Sequence, residues 1–397
     1  MANAIKAMKE KIYRHKERHT SLGYKTIVSE SIDFLRPDHW DTIAGQNSIF
    51  LSRAYLKAIE TFSPDNTSQR YGIAYSNDKP MVIIVCQIAE LSGERLVKID
   101  NKIANALSKK YRERVLVCGN LVSSGLHGIA FNDDLDPEEG WKIVGEILNK
   151  IRHNENLSGK IDFSLIKDIK GDILKSSEAI ERYSFRKIQT DPDMVLELPM
   201  DINSFDDYLK LLTSKYRSRV KKVIKSIDQS QYTCKEIELN QSIDKTIHAL
   251  YLNVENKSNT RLATLVPGYF HKLSTNLKEN FICKGIFDGD KILGFISIII
   301  DNKVALAYYV GFDYEINEKK PIYFRLLQLV IETAIEKNCN KVSFGRSALE
   351  PKANLGAKPV EAFIWARHNI SSVNVVLRNF FRNIPFDDAP ERSVLKD

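Results

Sequence analysis

One order of elements is written twice along this chain, and the repetition limits the folds open to it. In the second half, Phe281–Phe287, an Asp288-Gly289-Asp290 turn and Lys291–Ile300 read as a β-hairpin. Val304–Val310 follows as a third strand, Ile322–Lys337 as a helix and Lys341–Phe344 as a further strand. In the first half, Tyr71–Tyr75, a Ser76-Asn77-Asp78 turn and Met81–Ala89 give the hairpin. Val115–Cys118 and Gly128–Phe131 are its next strands, Glu138–His153 its helix and Ile161–Ile166 another strand. A helix precedes each hairpin, Phe50–Glu60 in the first case. Self-similarity at this scale suggests duplication of one α/β unit rather than a solenoid. A length of 397 residues also favours two units over one.

We expect a basic amphipathic segment over residues 1–23, a first unit over 24–192 and a second, working unit over 193–397. The seam is placed at Asp191-Pro192-Asp193 and Pro199, which punctuate the chain. In Met1–His19, Ile5, Met8 and Ile12 share a helical face among Lys6, Lys9, Lys11, Arg14, Lys16 and Arg18. Such a segment suits an anionic lipid surface, and a solvated helix end is the plain alternative. A basic helical insert is expected over Glu94–Arg114, and a second charged run, Lys215–Lys225, sits in the helix that opens the second unit.

Composition narrows the function classes. Apolar residues at 43% and charged residues at 27% describe a soluble protein with real cores. No apolar run approaches the roughly 18–20 residues of a membrane-spanning helix. The basic N-terminus lacks the apolar stretch and cleavage site of a secretory signal. Five scattered cysteines without CxxC spacing point to reduced thiols and against structural zinc. We therefore expect a cytoplasmic protein, with peripheral contact at the inner face of a membrane as an extension. A formal net charge of +7 suits an anionic partner, although solubility alone also accounts for it.

Two stretches carry a resemblance. One is Trp40 followed by Phe50-Leu-Ser-Arg-Ala-Tyr-Leu and Glu60. The other joins Tyr216-Arg-Ser-Arg-Val-Lys-Lys, Tyr308-Tyr-Val-Gly311, Phe344-Gly-Arg-Ser347 and Lys352 with Gly356. Together they resemble the GNAT superfamily, in its duplicated branch near the Fem-type peptidyltransferases. The resemblance implies an α/β (α+β) fold of two tandem GNAT-like (acyl-CoA N-acyltransferase) domains, each a mixed sheet flanked by helices. It implies an acyltransferase that moves groups other than amino-acyl ones, from acyl-CoA or acyl carrier protein as co-substrate to a primary amine, such as a lipid amine of the long-chain-base type. No permanently bound cofactor, metal or DNA is expected. A Fem-like transferase drawing on aminoacyl-tRNA is the first alternative, lowered because no long helical-hairpin arm is evident between the units. A non-catalytic binding module on the same frame is the second. One departure stands out. GNAT enzymes cradle the coenzyme A pyrophosphate on a Gly-rich loop at a helix N-terminus, whereas Asp313–Ile322 contains no glycine.

Acyl transfer to an amine needs an oriented thioester, a base for the ammonium proton and a donor for the thiolate. Tyr308 and Tyr309 end the strand on which the family holds the pantetheine arm, and a phenol can protonate a thiolate. Strand alternation sends one of the two to the cleft side. The resemblance adds Val310 and Arg325 to donor binding. Arg346, Ser347 and Lys352 follow the next strand, where open sheets place ligands, and offer two cations to an anionic substrate group. Glu255 is the carboxylate candidate for base, with Arg261 near it and Arg217 in the family-like helix. In the first unit, the Gly-rich stretch from Cys118 to Gly128 contributes Asn120, and His127 as a second candidate base. Arg378–Arg382, with Phe380 and Phe381, suits a lipid surface.

Overall fold

Both repeats are present in the computed structural model, but neither closes on itself. The structure describes residues 20–45, 47–92, 95, 112–123, 125, 128–258, 261–370, 372–374, 390 and 392–396. The basic N-terminal segment, most of the Glu94–Arg114 insert, His127 and the Arg378–Arg382 region lie outside the described residues.

The first unit holds β1 (Lys25–Ser29), α1 (Pro37–Ala44), α2 (Arg53–Thr61), β2 (Thr67–Ser76), β3 (Lys79–Ser92), β4 (Arg112–Cys118), β5 (Ile129–Phe131), α3 (Pro137–Asn154), β6 (Phe163–Ile169), α4 (Ile173–Ser177) and β7 (Arg186–Glu197). The second holds α5 (Phe205–Leu211), α6 (Ser214–Asp228), β8 (Thr233–Glu236), α7 (Gln241–Glu255), α8 (Tyr269–Leu277), β9 (Phe281–Asp288), β10 (Lys291–Asp301), β11 (Val304–Phe312), α9 (Tyr314–Lys319), α10 (Ile322–Glu336), β12 (Lys341–Ser343), α11 (Leu349–Ala353) and β13 (Lys358–His368). The β2–β3 hairpin turns through Asn77 and Asp78, both at positive φ (48° and 63°). Paired positive φ is the two-residue turn whose twist matches the flanking strands. Arg112–Arg114, expected within the helical insert, is instead the start of β4.

One sheet runs through the molecule in the order β1-β2-β3-β4-β6-β13-β7-β12-β11-β10-β9-β8, with β5 beside β3. The order is nearly palindromic about its centre. There the last strand of each unit crosses over: β13 pairs with β6, and β7 pairs with β12. The seam expected at Asp191-Pro192-Asp193 lies inside β7. Two residues, Asp191 and Pro192, oppose the single Glu361 of β13 there. A bulge of this kind is where a strand admits a proline, which has no N–H to give the ladder. Asp193 beyond it is buried, taking Ser343 Oγ (2.9 Å) and Lys170 Nζ (2.6 Å).

Alternation along the strands sorts the cores. Ala74, Val82 and Ile84 pack under α3 with Trp141, Val144 and Ile147, and Ile296 and Ile298 pack under α10 with Leu326 and Val330. On the other face, Trp40, Tyr55 and Leu56 from the first unit share one core with Tyr251, Tyr269, Phe270 and Phe295 from the second. This shared core brings the two helix pairs together over the candidate site.

Candidate functional site

β11 and β12 are parallel partners only from Val304–Leu306 opposite Lys341–Ser343. Past that point Phe344 N turns to Met194 O of β7 (2.9 Å), while β11 continues beside β10. A cavity of about 470 Å³ opens between the diverging strands. Ala307–Val310 form one side and Phe344–Ser347 with Lys352 the other. Tyr323 and Leu327 of α10 lie across one face, and Leu121–Ser123 of the first unit lie across the other.

The wall nearest the shared core owes its shape to a bulge. Ser297 opposes Tyr309 and Ile298 opposes Ala307, so Tyr308 is an extra residue in β11. Ser297 Oγ closes the gap, accepting from Tyr309 N (3.0 Å) and donating to Tyr309 O (3.2 Å). An extra residue breaks alternation. Tyr308 and Tyr309 therefore point to the same face, ring centroids 4.8 Å apart, instead of one to each side as alternation implies. Tyr308 Oη lies 2.5 Å from Tyr269 Oη and 3.2 Å from Tyr55 Oη, and Asn120 Nδ2 donates to Tyr55 Oη (3.0 Å). Tyr309 Oη donates to Val122 O (3.1 Å). Burial pushes the Tyr55 phenol up to about 12 and those of Tyr269, Tyr308 and Tyr309 well above their ordinary value. All four are neutral proton donors at any physiological pH. Tyr55 lies in a stretch that carries the resemblance and Leu121–Val122 in the Gly-rich stretch, but neither pattern marks them or Tyr269 as site residues, because a tyrosine on an amphipathic helix reads as core.

The first unit has a different device at the equivalent place. β4 and β5 both pair with β3, Cys118 opposite Cys86 and Ile129 opposite Ile84. Val85 between them accepts from Gly119 N (2.9 Å) and donates to Gly128 O (2.6 Å). The chain thus leaves the sheet at Gly119 and re-enters it at Gly128, on either side of Val85. A Cβ on Gly128 would lie 2.6 Å from Gly119 Cα, and one on Gly119, at φ +111°, would lie 2.6 Å from Lys167 Cγ. Only glycine lets the loop leave and re-enter the sheet here. Lys167 fills the space between β4 and β6, donating to Asn120 O (2.6 Å) and Ser123 O and pairing with Asp168 (3.0 Å). The first unit's own wedge is therefore occupied by its side chains, and its loop serves as a wall of the second unit's cavity.

Two cations border the cavity. Arg346 forms an ion pair with Asp168 of the first unit, whose Oδ2 also accepts from Gly125 N (2.8 Å). Lys352 is 3% exposed and donates to Gly345 O (3.1 Å), and burial lowers its ammonium to about 8. Ser347 is exposed at the rim.

Tyr308, Tyr309, Val310, Arg346, Ser347 and Lys352 thus meet in one cavity, with Asn120 behind the tyrosines. The other expected residues do not line it. Arg325 is buried on α10, held by Glu332 (2.6 and 3.2 Å). It forms an internal ion pair outside the cavity lining. Glu255 stands behind Tyr251, accepting from Thr264 Oγ1 (3.3 Å), with its carboxyl pushed up by burial. Arg261 reaches Asn256 Oδ1 (3.2 Å), and Arg217 is half-buried on α6.

Coenzyme A would need free amides where β11 passes into α10. Asp313 Oδ1 already accepts from Glu315 N (3.0 Å) and Ile316 N (3.3 Å), and Asn317 Oδ1 accepts from Tyr323 N (2.9 Å). Asp313 caps α9, and its carboxylate there repels an anion that a free N-terminus would attract. These residues do not fit a pyrophosphate.

No protein-family model matches the chain, and no curated protein matches it by sequence. Among solved structures it is similar to FemX, at 10% identity over 89% of this chain and 100% of that one, with a TM-score of 0.54. It is also similar to a tandem GNAT protein from the clavulanic acid biosynthesis pathway, at 9% identity, 87% and 98% coverage and a TM-score of 0.49. L-PGS from Bacillus licheniformis follows at 11% identity, 82% and 94% coverage and 0.48. At such identities the likeness speaks to fold. The chain has a GNAT-like fold of the Fem type, built from two mixed α/β units, as its sequence resemblance implies.

Proposed function

We propose that this chain is an N-acyltransferase that works in the second unit's wedge, moving an acyl group from a thioester to a primary amine. The observation that carries the reading is the parting of β11 from β12 at a bulge that aims two neutral phenols into one cavity. The amine nitrogen attacks the thioester carbonyl carbon, the C–N bond forms and the C–S bond breaks. The departing thiolate takes its proton from Tyr308, whose hydroxyl is joined to Tyr269 and Tyr55 and so to Asn120. Tyr309 is the weaker candidate, since its proton is committed to the Val122 carbonyl. The ammonium proton passes to Lys352, which lies in the cavity and titrates at about 8. Glu255 stands behind Tyr251, outside the cavity lining, and takes no proton directly from the amine.

The filled amides at Asp313 and Asn317 favour a donor gripped through its arm and its carrier, so acyl carrier protein ranks ahead of coenzyme A. A net charge of +7 suits an acidic carrier. The apolar walls suit a lipid-like amine such as a long-chain base. The same filled amides favour a second reading, transfer from aminoacyl-tRNA. The test offers purified protein an acyl-CoA, the same acyl group on carrier protein, and aminoacyl-tRNA, each with a panel of amines, and follows amide by mass spectrometry. Amide from the carrier-borne donor in excess of coenzyme A supports the first reading, and ribonuclease-sensitive product supports the second. No amide from any donor would remove the enzyme assignment.

A further inference from the structure

A second cavity, of about 410 Å³, lies against the neighbouring face of α10, between that helix and α6. Val223, Pro321, Phe324 and Leu355 make its floor and sides, and Arg219 and Lys222 stand at its rim. The helix that supplies the rim is unusual in charge. From Ser214 to Ile227 it carries Lys215, Arg217, Arg219, Lys221, Lys222 and Lys225 and no acidic residue. Lys215, Arg219 and Lys222 fall at helical spacing along one stripe beside the cavity, and Lys221 and Lys225 fall on another. Lys215 and Arg219 rest against the Tyr216 ring, at 5.6 and 5.4 Å from its centroid. Among the described residues no carboxylate pairs with any of Lys215, Arg219, Lys221, Lys222 or Lys225. Most basic side chains in such a run are solvated. This one keeps its positive charge unpaired beside an apolar opening.

We propose that this cavity binds an anionic phospholipid at a bilayer surface, its phosphate on Arg219 and Lys222 and one acyl chain on the Val223–Phe324 floor. Charge complementarity selects the anionic headgroup, and the apolar floor of Val223, Pro321, Phe324 and Leu355 suits a hydrocarbon chain. Of the two lining amides, Gln328 donates to Val220 O (3.4 Å), while Asn354 Oδ1 is buried without a partner. Leu355 of this cavity lies three residues beyond Lys352 of the first, so a lipid bound here would hold the reactive cavity close to the membrane plane. The inference stands without the proposed reaction and concerns a different cavity.

The experiment is co-sedimentation of the full chain with sucrose-loaded vesicles of phosphatidylcholine, with and without phosphatidylglycerol. Binding should require phosphatidylglycerol and weaken with salt. R219E/K222E should lose about tenfold or more of that binding, in line with the contribution of basic residues at anionic surfaces. K221E/K225E, on the other stripe, should lose much less, and Phe324→Ser should weaken binding with no change in charge. Thermal unfolding of each variant shows that it is folded, and if R219E/K222E fails to fold, R219Q/K222Q carries the comparison. Equal losses in the two charge-reversal pairs, or no effect of Phe324→Ser, would overturn the site in favour of diffuse attraction. Binding to RNA without binding to anionic vesicles would overturn it as well.

Discussion

At the scale of single residues, the site turns on which groups can give a proton and which can take one. Tyr308 is a neutral donor at the junction of Tyr55 and Tyr269, whereas the Tyr309 hydroxyl is spent on a backbone carbonyl. Tyr308→Phe should therefore lower kcat about a hundredfold or more, the usual scale for a general acid. Tyr309→Phe should cost about tenfold, and steady-state rates with carrier-borne donor separate the two. Lys352 gives a stability prediction with a sign. Its folded value of about 8 lies below the ordinary 10.5, so between those values the unfolded chain holds the extra proton. Stability should rise with pH through that window and carry the full penalty of a buried charge below it. Lys352→Met should raise stability at neutral pH by up to about 3 kcal/mol, from the size of the shift, and abolish the rise above pH 8. Urea unfolding across that range checks both. A variant that is more stable and less active would mark Lys352 as held in place for function.

At the scale of elements, the bulge in β11 and the chain's excursion between Gly119 and Gly128 are what turn a repeated α/β pattern into a cavity. Ser297→Ala removes the hydroxyl that bridges both backbone groups of Tyr309, at a cost of about 1 kcal/mol by the usual worth of a buried hydrogen bond. Because the bulge aims both tyrosines, the loss in kcat should exceed what that small destabilisation explains, as paired melting and kinetic measurements would show. Gly128→Ala should cost more, about 2–4 kcal/mol, since the added methyl meets Gly119 backbone that cannot move aside. Hairpin, strand, helix and strand were legible in both halves because apolar periodicity and turn residues are local signals. The bulge and the excursion were not. Tyr308-Tyr309 reads as ordinary alternation until the partner strand is known, and Cys118–Gly128 reads as a loop with no sign of which cavity it covers. Tyr55 and Tyr269 are site residues only because two helices, with these tyrosines 214 positions apart (269 − 55), meet across the sheet, a pairing that no local pattern encodes.

At the scale of the whole molecule, the exchange of β7 and β13 decides how the chain behaves as a folding unit. Each repeat lacks the strand that completes its own edge. β6 is covered by β13, from the far end of the chain, and β12 is covered by β7. Trp365 of β13 is fully buried in the first unit's core, with Nε1 donating to Ser177 Oγ (3.0 Å). Arg346 reaches across to Asp168, and the helices of both units share one core. A cut at 192/193, the boundary expected from Pro192, would pass through the middle of β7 and leave both fragments with an open edge and exposed apolar surface. The two halves should therefore not unfold separately, and the three tryptophans make this measurable. Trp141 and Trp365 lie in the first unit's core and Trp40 in the core that both units share, so their fluorescence follows the first half and its contact with the second. Far-ultraviolet circular dichroism follows helices and strands in both. If the exchange binds the units into one cooperative structure, the two signals should trace a single coincident transition in urea. A fluorescence change separated from the circular dichroism change would mean that one unit keeps its fold without the other, and that β7 and β13 join the halves without making each depend on the other.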